Sequence, residues 1–115
     1  MTYGIHASFD AIREVLFGSI TASYSVVGGP LTHEARIIQF LNSTDKDVYL
    51  STDAVTAFTR VPGRSGTTLN FCSNKVQSDG FFLPIGTQFY VKRTEAGAPG
   101  DGSLSIDVIY ATPAP

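Results

Sequence analysis

Residues 35–53 read ARIIQFLNSTDKDVYLSTD, and the fold class turns on how this stretch is parsed. Ile38 and Phe40 alternate with Gln39 and Leu41. After the polar tetrad Ser43-Thr44-Asp45-Lys46, Val48, Leu50 and Thr52 alternate with Tyr49 and Ser51. Successive side chains on a strand point to opposite faces, so a period of two on both sides predicts two half-buried strands. The short, Asp-containing connection predicts that these strands pair as a β-hairpin.

The same pattern continues in both directions. Upstream, Ser19–Val27 places Ile20, Ala22, Tyr24 and Val26 on one face, and Gly28-Gly29-Pro30 closes the run as a turn. Asp10–Phe17 is ambiguous. Ile12, Val15 and Leu16 fit a short helical face with Asp10 as its N-cap, but a strand fits as well. Downstream, Ala54–Val61 and Thr67–Cys72 read as strands, the second with Leu69 and Phe71 in phase, and residues 62–66 as the loop between them. The polar stretch 73–80 reads as turns, and Phe81-Phe82-Leu83-Pro84 as an edge segment or a plug over the core. Gly86–Arg93 sets Thr87, Phe89 and Val91 inward against Gln88, Tyr90 and Lys92. After the loop 96–102, Ser103–Ala111 buries Leu104, Ile106, Val108 and Tyr110. Seven to nine short strands with regular turns predict an all-β chain: one antiparallel β-sandwich, jelly-roll-like domain or barrel. Phe40, Leu50, Phe89, Ile106 and Val108 are its expected core. Residues 12–111 form the domain, 1–11 an extended N-terminal arm and 112–115 a tail. The arm lacks alternation yet carries Tyr3, Ile5 and Phe9, which predicts an assembly arm that adds to a neighbouring subunit, with folding back over an edge of its own sheet as the plainer alternative.

Composition narrows function mainly by exclusion. A chain of 115 residues is one domain, large enough to bury a core unaided. Only 16% of residues are charged, well under the usual quarter, and the net charge is −2. That balance gives no case for direct nucleic-acid binding or for an anionic membrane surface. No apolar run reaches the roughly 18 residues that a spanning helix needs. The first residues lack the basic and apolar regions of a signal peptide, so cytoplasmic synthesis is expected.

Several motifs suggest chemistry, and each has a plainer reading. Asn42-Ser43-Thr44 matches a glycosylation sequon, but turn formation explains the same residues. Asp45, Asp47 and Asp53 supply the hard oxygens that calcium prefers, without a calcium-loop pattern. Residues 63–68 (GRSGTT) echo a phosphate loop but lack its lysine and following helix. Arg60 and Arg64 fit a basic loop available for a salt bridge to a partner. Cys72 has His6 and His33 as conceivable partners, yet a lone cysteine ending an apolar strand is usually a buried hydrophobe. No catalytic, cofactor-binding or metal-binding residue is assigned, and no enzymatic activity is expected. Tyr49 and Tyr90 fall out of phase with the core and, with the loop aspartates, outline a lectin-like carbohydrate-binding alternative.

Certain phrases carry a resemblance. Asn42-Ser43-Thr44-Asp45-Lys46-Asp47-Val48, Gly80-Phe81-Phe82-Leu83-Pro84, and Gly86-Thr87-Gln88-Phe89-Tyr90-Val91-Lys92, with the upstream residues 17–24 (FGSITASY), resemble small virion structural proteins of tailed bacteriophages. These are strand-and-turn phrases without a site motif. The resemblance implies a capsid decoration (cement) protein, or a ring component of the head–tail connector or tail. It implies partners that are further copies of the chain and other virion proteins such as the major capsid, portal or tail proteins. It implies assembly in the host cytoplasm into a virion.

Overall fold

The computed structural model describes residues 5–70, 84–95 and 97–113. Phe71, Cys72 and the apolar run at 81–83 lie outside them. The described strands are β1 (Ile5–Phe9), β2 (Arg13–Leu16), β3 (Ser25–Val26), β4 (Ala35–Asn42), β5 (Val48–Ser51), β6 (Ala57–Val61), β7 (Ser65–Asn70), β8 (Tyr90–Arg93) and β9 (Ser103–Pro113). The first sheet runs β1-β9-β4-β7, with β2 beside β1 on the same edge of β9; the second runs β3-β8-β5-β6. Every pairing among the described residues is antiparallel. The two sheets close on one shared core, which makes the chain an all-β sandwich.

The core follows the period-two pattern. Ile38 and Phe40 of β4 and Leu104, Ile106 and Val108 of β9 face Val48 and Leu50 of β5, Val61 of β6 and Phe89 and Val91 at β8. Phe40 and Phe89 meet edge to face at 5.6 Å between ring centroids, the geometry favoured by the ring quadrupole. A register shift between β5 and β6 turns the extra residue, Phe58, toward Phe40 at 5.8 Å. All five expected core residues are buried.

The central hairpin is a correction. β4 and β5 lie in different sheets: β4 pairs with β7 and β9, and β5 with β6 and β8. Residues 43–47 therefore cross between the layers instead of turning within one. The reason is Asn42, which continues the inward phase of Ile38 and Phe40 and is fully buried. Its side chain finds partners on the opposite sheet, and this pulls the chain across.

Other local expectations also change. Asp10–Phe17 resolves as β2 followed by a single 3-10 turn at Phe17–Ser19. Within 19–27 only Ser25 and Val26 pair, and the phase is inverted there: Val27 is buried and Val26 exposed. Thr21 accounts for the break, because its hydroxyl donates to the Ser23 carbonyl and accepts from the Ser23 N–H, folding the chain into a local turn. Tyr110 is half-buried, stacked on His33 at 3.8 Å. Of the stretch read as an arm, Ile5–Phe9 lies along Ile109–Pro113 of β9 in regular register.

Arg13 fastens this edge to the rest of the sandwich. Only 7% of it is exposed. Its guanidinium donates to the carbonyls of Gly29 at 2.8 Å, Pro30 at 3.0 Å and Ala11 at 3.2 Å, and to Asp10 Oδ2 at 3.2 Å. Its stem lies across Gly28, where φ is +65° and a Cβ would sit 2.6 Å from Arg13 Cγ. Partial burial raises the Asp10 carboxyl, but the Ala11 N–H, Arg13 and the Thr32 hydroxyl together bring it below its ordinary value of 3.8. A lowered folded pKa means that this stabilisation is complete above the unfolded value and is lost as pH falls through the folded one. The stability deficit of Asp10→Asn, read by urea unfolding, is therefore expected to be largest near neutrality and to shrink below about pH 4.

Candidate functional site

Three surfaces collect the residues singled out by the sequence. The first is the end of the sandwich where the 43–47 crossover meets the turns at 62–64 and 97–102. Asn42 Nδ2 lies 2.9 Å from the Lys46 carbonyl, 3.0 Å from that of Val61 and 3.2 Å from that of Pro62. Its Oδ1 accepts from the Thr44 N–H at 3.0 Å and the Thr44 hydroxyl at 2.6 Å. A side chain so enclosed is no acceptor for a glycan, and the sequon reduces to a crossover lock. Asp45 accepts from the Gly100 N–H at 2.8 Å, which lowers its carboxyl, and Asp47 accepts from the Gly63 N–H at 3.0 Å. Arg64, at φ +58°, takes both Asp101 oxygens at 2.9 Å and also donates to the Ser43 carbonyl. Gly102 has φ +83°, and a Cβ there would lie 2.2 Å from the Ser43 carbonyl oxygen. These groups close turns. Residues 63–68 lead into β7, where a phosphate loop would lead into a helix.

Asp53 belongs to the other end of β5. Its Oδ1 accepts from the N–H groups of Thr56 and Val55, both at 2.9 Å, and from the Ser51 hydroxyl at 2.8 Å, and these bonds lower its carboxyl. Asp45, Asp47 and Asp53 thus do not converge, which overturns the calcium reading of that trio. Among the described residues, no group of three or more His, Cys, Asp and Glu side chains is placed to hold a metal ion.

The second surface is the outer face of the sheet containing β5. Lys92 Nζ stands 4.8 Å from the centre of the Tyr24 ring and 5.8 Å from that of Tyr49. The Tyr49 hydroxyl donates to Glu95 at 3.1 Å, and the bond to Glu95 and the charge on it raise the phenol. Arg60 reaches Asp47 at 3.8 Å. Tyr49 and Tyr90, read from sequence as outward, are both half-buried, and Tyr49 is engaged by Lys92 and Glu95 rather than left open as a stacking platform. His33 lies on the Tyr110 ring and His6 in β1; Cys72 is outside the described residues, so the Cys–His reading gains no geometry.

The third surface is on the outer face of the sheet containing β4 and β9, and an apolar row crosses it. Register places Phe9 opposite Ile109 and Ile109 opposite Ile37, so one row crosses three strands on a single face. With Ile12 these residues line a groove of about 560 Å³, bordered by Gln39, Thr68 and Asp107. Phe9 is 74% exposed and Ile12 67% exposed. Single exposed apolar residues need no explanation, but a contiguous row in a groove is a feature of contact surfaces. The sequence contains a signal for this face. Ile37-Ile38 and Val108-Ile109 are apolar in both phases, as on a strand with contacts on both faces. No protein-family model matches the sequence, and neither a curated protein nor a solved structure shows significant similarity to it.

Proposed function

We propose that this chain is a non-enzymatic structural subunit of a tailed-phage virion, acting through contacts with its own copies and with other virion proteins. A capsid decoration role and a head–tail connector or tail role both meet this description, with the major capsid, portal or tail proteins as partners. The observation that carries the assembly reading is the apolar row Phe9–Ile109–Ile37 with Ile12, turned away from the core. The virion assignment rests on the resemblance of the phrases at 17–24, 42–48 and 80–92 to phage structural proteins. The loop aspartates support the reading indirectly, since they are committed to holding turns. Assembly by this face requires that two polar substitutions on it reduce association without touching the core. Sedimentation of Phe9→Ser/Ile12→Ser beside the natural chain tests this. The variant is expected to keep its cooperative melt and to sediment at lower mass; unchanged sedimentation would reject the face as the contact.

A further inference from the structure

β8 closes on an arginine in the inward phase. Register sets Val91 opposite Leu50 and Arg93 opposite Val48, and Val48, Leu50 and Val91 are all buried in the core. Opposed residues share a face and side chains alternate along a strand, so Arg93 sits on the core side of its sheet, at the end of the sandwich. It is half-buried. Its main-chain N–H donates to the Thr21 carbonyl at 2.8 Å, but its guanidinium has no hydrogen bond or ion pair among the described residues. Acids nearby in the chain are engaged elsewhere. Glu95 accepts from the Tyr49 hydroxyl, Asp45 from the Gly100 N–H, and Asp101 holds Arg64. A guanidinium carries five donors and does not shed its proton, so those of Arg93 are left to whatever enters beside it.

What lies beside it is an open pocket of about 520 Å³, within the size range of small-molecule sites. The rest of its lining comes from the link that leads from β2 in the first sheet to β3 in the second, and from Ala98 and Pro99. That link is fixed in place. The Phe17 N–H donates to the Gly102 carbonyl at 3.0 Å, the Ile20 N–H to the Phe17 carbonyl at 3.1 Å, and the Thr21 carbonyl accepts from Arg93. The Thr21 hydroxyl is taken up by Ser23. Arg93 is thus the one charged group among the described lining residues, and Phe17, 40% exposed, is the one ring.

We propose that this pocket binds a small organic monocarboxylate with an apolar, ring-sized body, its carboxylate on the Arg93 guanidinium and its ring against Phe17 and Pro99. The planar fork of arginine matches a carboxylate with two parallel hydrogen bonds, and a single cation neutralises a single negative charge. A dianion would keep one charge uncompensated against apolar walls. This site is separate from the apolar row and does not rest on the assembly reading.

Saturation-transfer NMR with benzoate as the probe reads this binding at any size of assembly. Benzoate is expected to bind saturably, and benzyl alcohol, the same ring without the charge, about tenfold more weakly or less tightly still. Arg93→Gln is expected to keep its cooperative melt and to raise the benzoate dissociation constant about tenfold or more. The comparison with benzyl alcohol uses the natural chain and decides the matter should Arg93→Gln fail to fold. N-acetylglutamic acid α-amide presents the carboxylate of a protein side chain without a ring, and it is expected to bind more weakly than benzoate. Equal binding of that amide would overturn the small ligand in favour of an acidic side chain from another protein. No saturable binding of benzoate, or equal binding of benzyl alcohol, or undiminished benzoate binding by folded Arg93→Gln, would overturn the site.

Discussion

Truncating Phe89 to alanine is expected to destabilise the fold by about 3–5 kcal/mol, the range for deleting a buried aromatic ring. Phe89 is fully buried at the centre of the sandwich, edge-on to Phe40, and its backbone carbonyl accepts from the Val27 N–H at 2.9 Å. Removing the ring takes contacts from both sheets at once, and a β-sandwich held by its ladders cannot close the gap without shifting a whole strand. Urea unfolding should show a lower midpoint with an unchanged slope. A loss under about 1 kcal/mol, the scale of ordinary surface changes, would mean that the strand phase is inverted.

Asn42→Ala is expected to cost a comparable amount. Asn42 is fully buried, and its amide serves the carbonyls of Lys46, Val61 and Pro62 while its oxygen serves Thr44. Each buried polar group left without a partner costs about 1–3 kcal/mol, and the alanine takes a partner from the buried Thr44 N–H and from the carbonyls of Lys46, Val61 and Pro62. The two fully buried bonds, to Thr44 and Val61, set a sum of about 2–6 kcal/mol. Asn42→Asp retains the acceptor but presents a carboxylate to three carbonyls. Burial and those carbonyls favour its protonated form, so its folded pKa lies above the unfolded one. Its stability relative to the natural chain should therefore recover as pH falls. A mild effect of Asn42→Ala at neutral pH would mean that the crossover is held by other means.

The contrast between these two residues shows what the sequence made legible. Phe89 was readable because burial repeats along a strand: Phe40, Leu50, Phe89, Ile106 and Val108 all follow a period of two. The same alternation does not distinguish a turn within one sheet from a crossover between two, since both need short polar links. The distinguishing residue was Asn42 itself, a polar side chain in the inward phase, whose need for buried partners draws the chain across the layers. In 19–27 the alternation of small residues was accidental, and the hydroxyl of Thr21 diverts the backbone. The aspartates at 45, 47 and 53 resembled ligands in sequence because Asx turns and cation sites draw on the same residue. The apolar outer face was harder to read: Ile37 and Ile109 sit beside core residues, and only strand register brings them into line with Phe9.

The most direct test of the assembly account is the native mass of the natural chain, read by light scattering or sedimentation over a wide concentration range. The account predicts defined multiples of the 12.3 kDa subunit. A mass of 12.3 kDa at every concentration up to the solubility limit would contradict it.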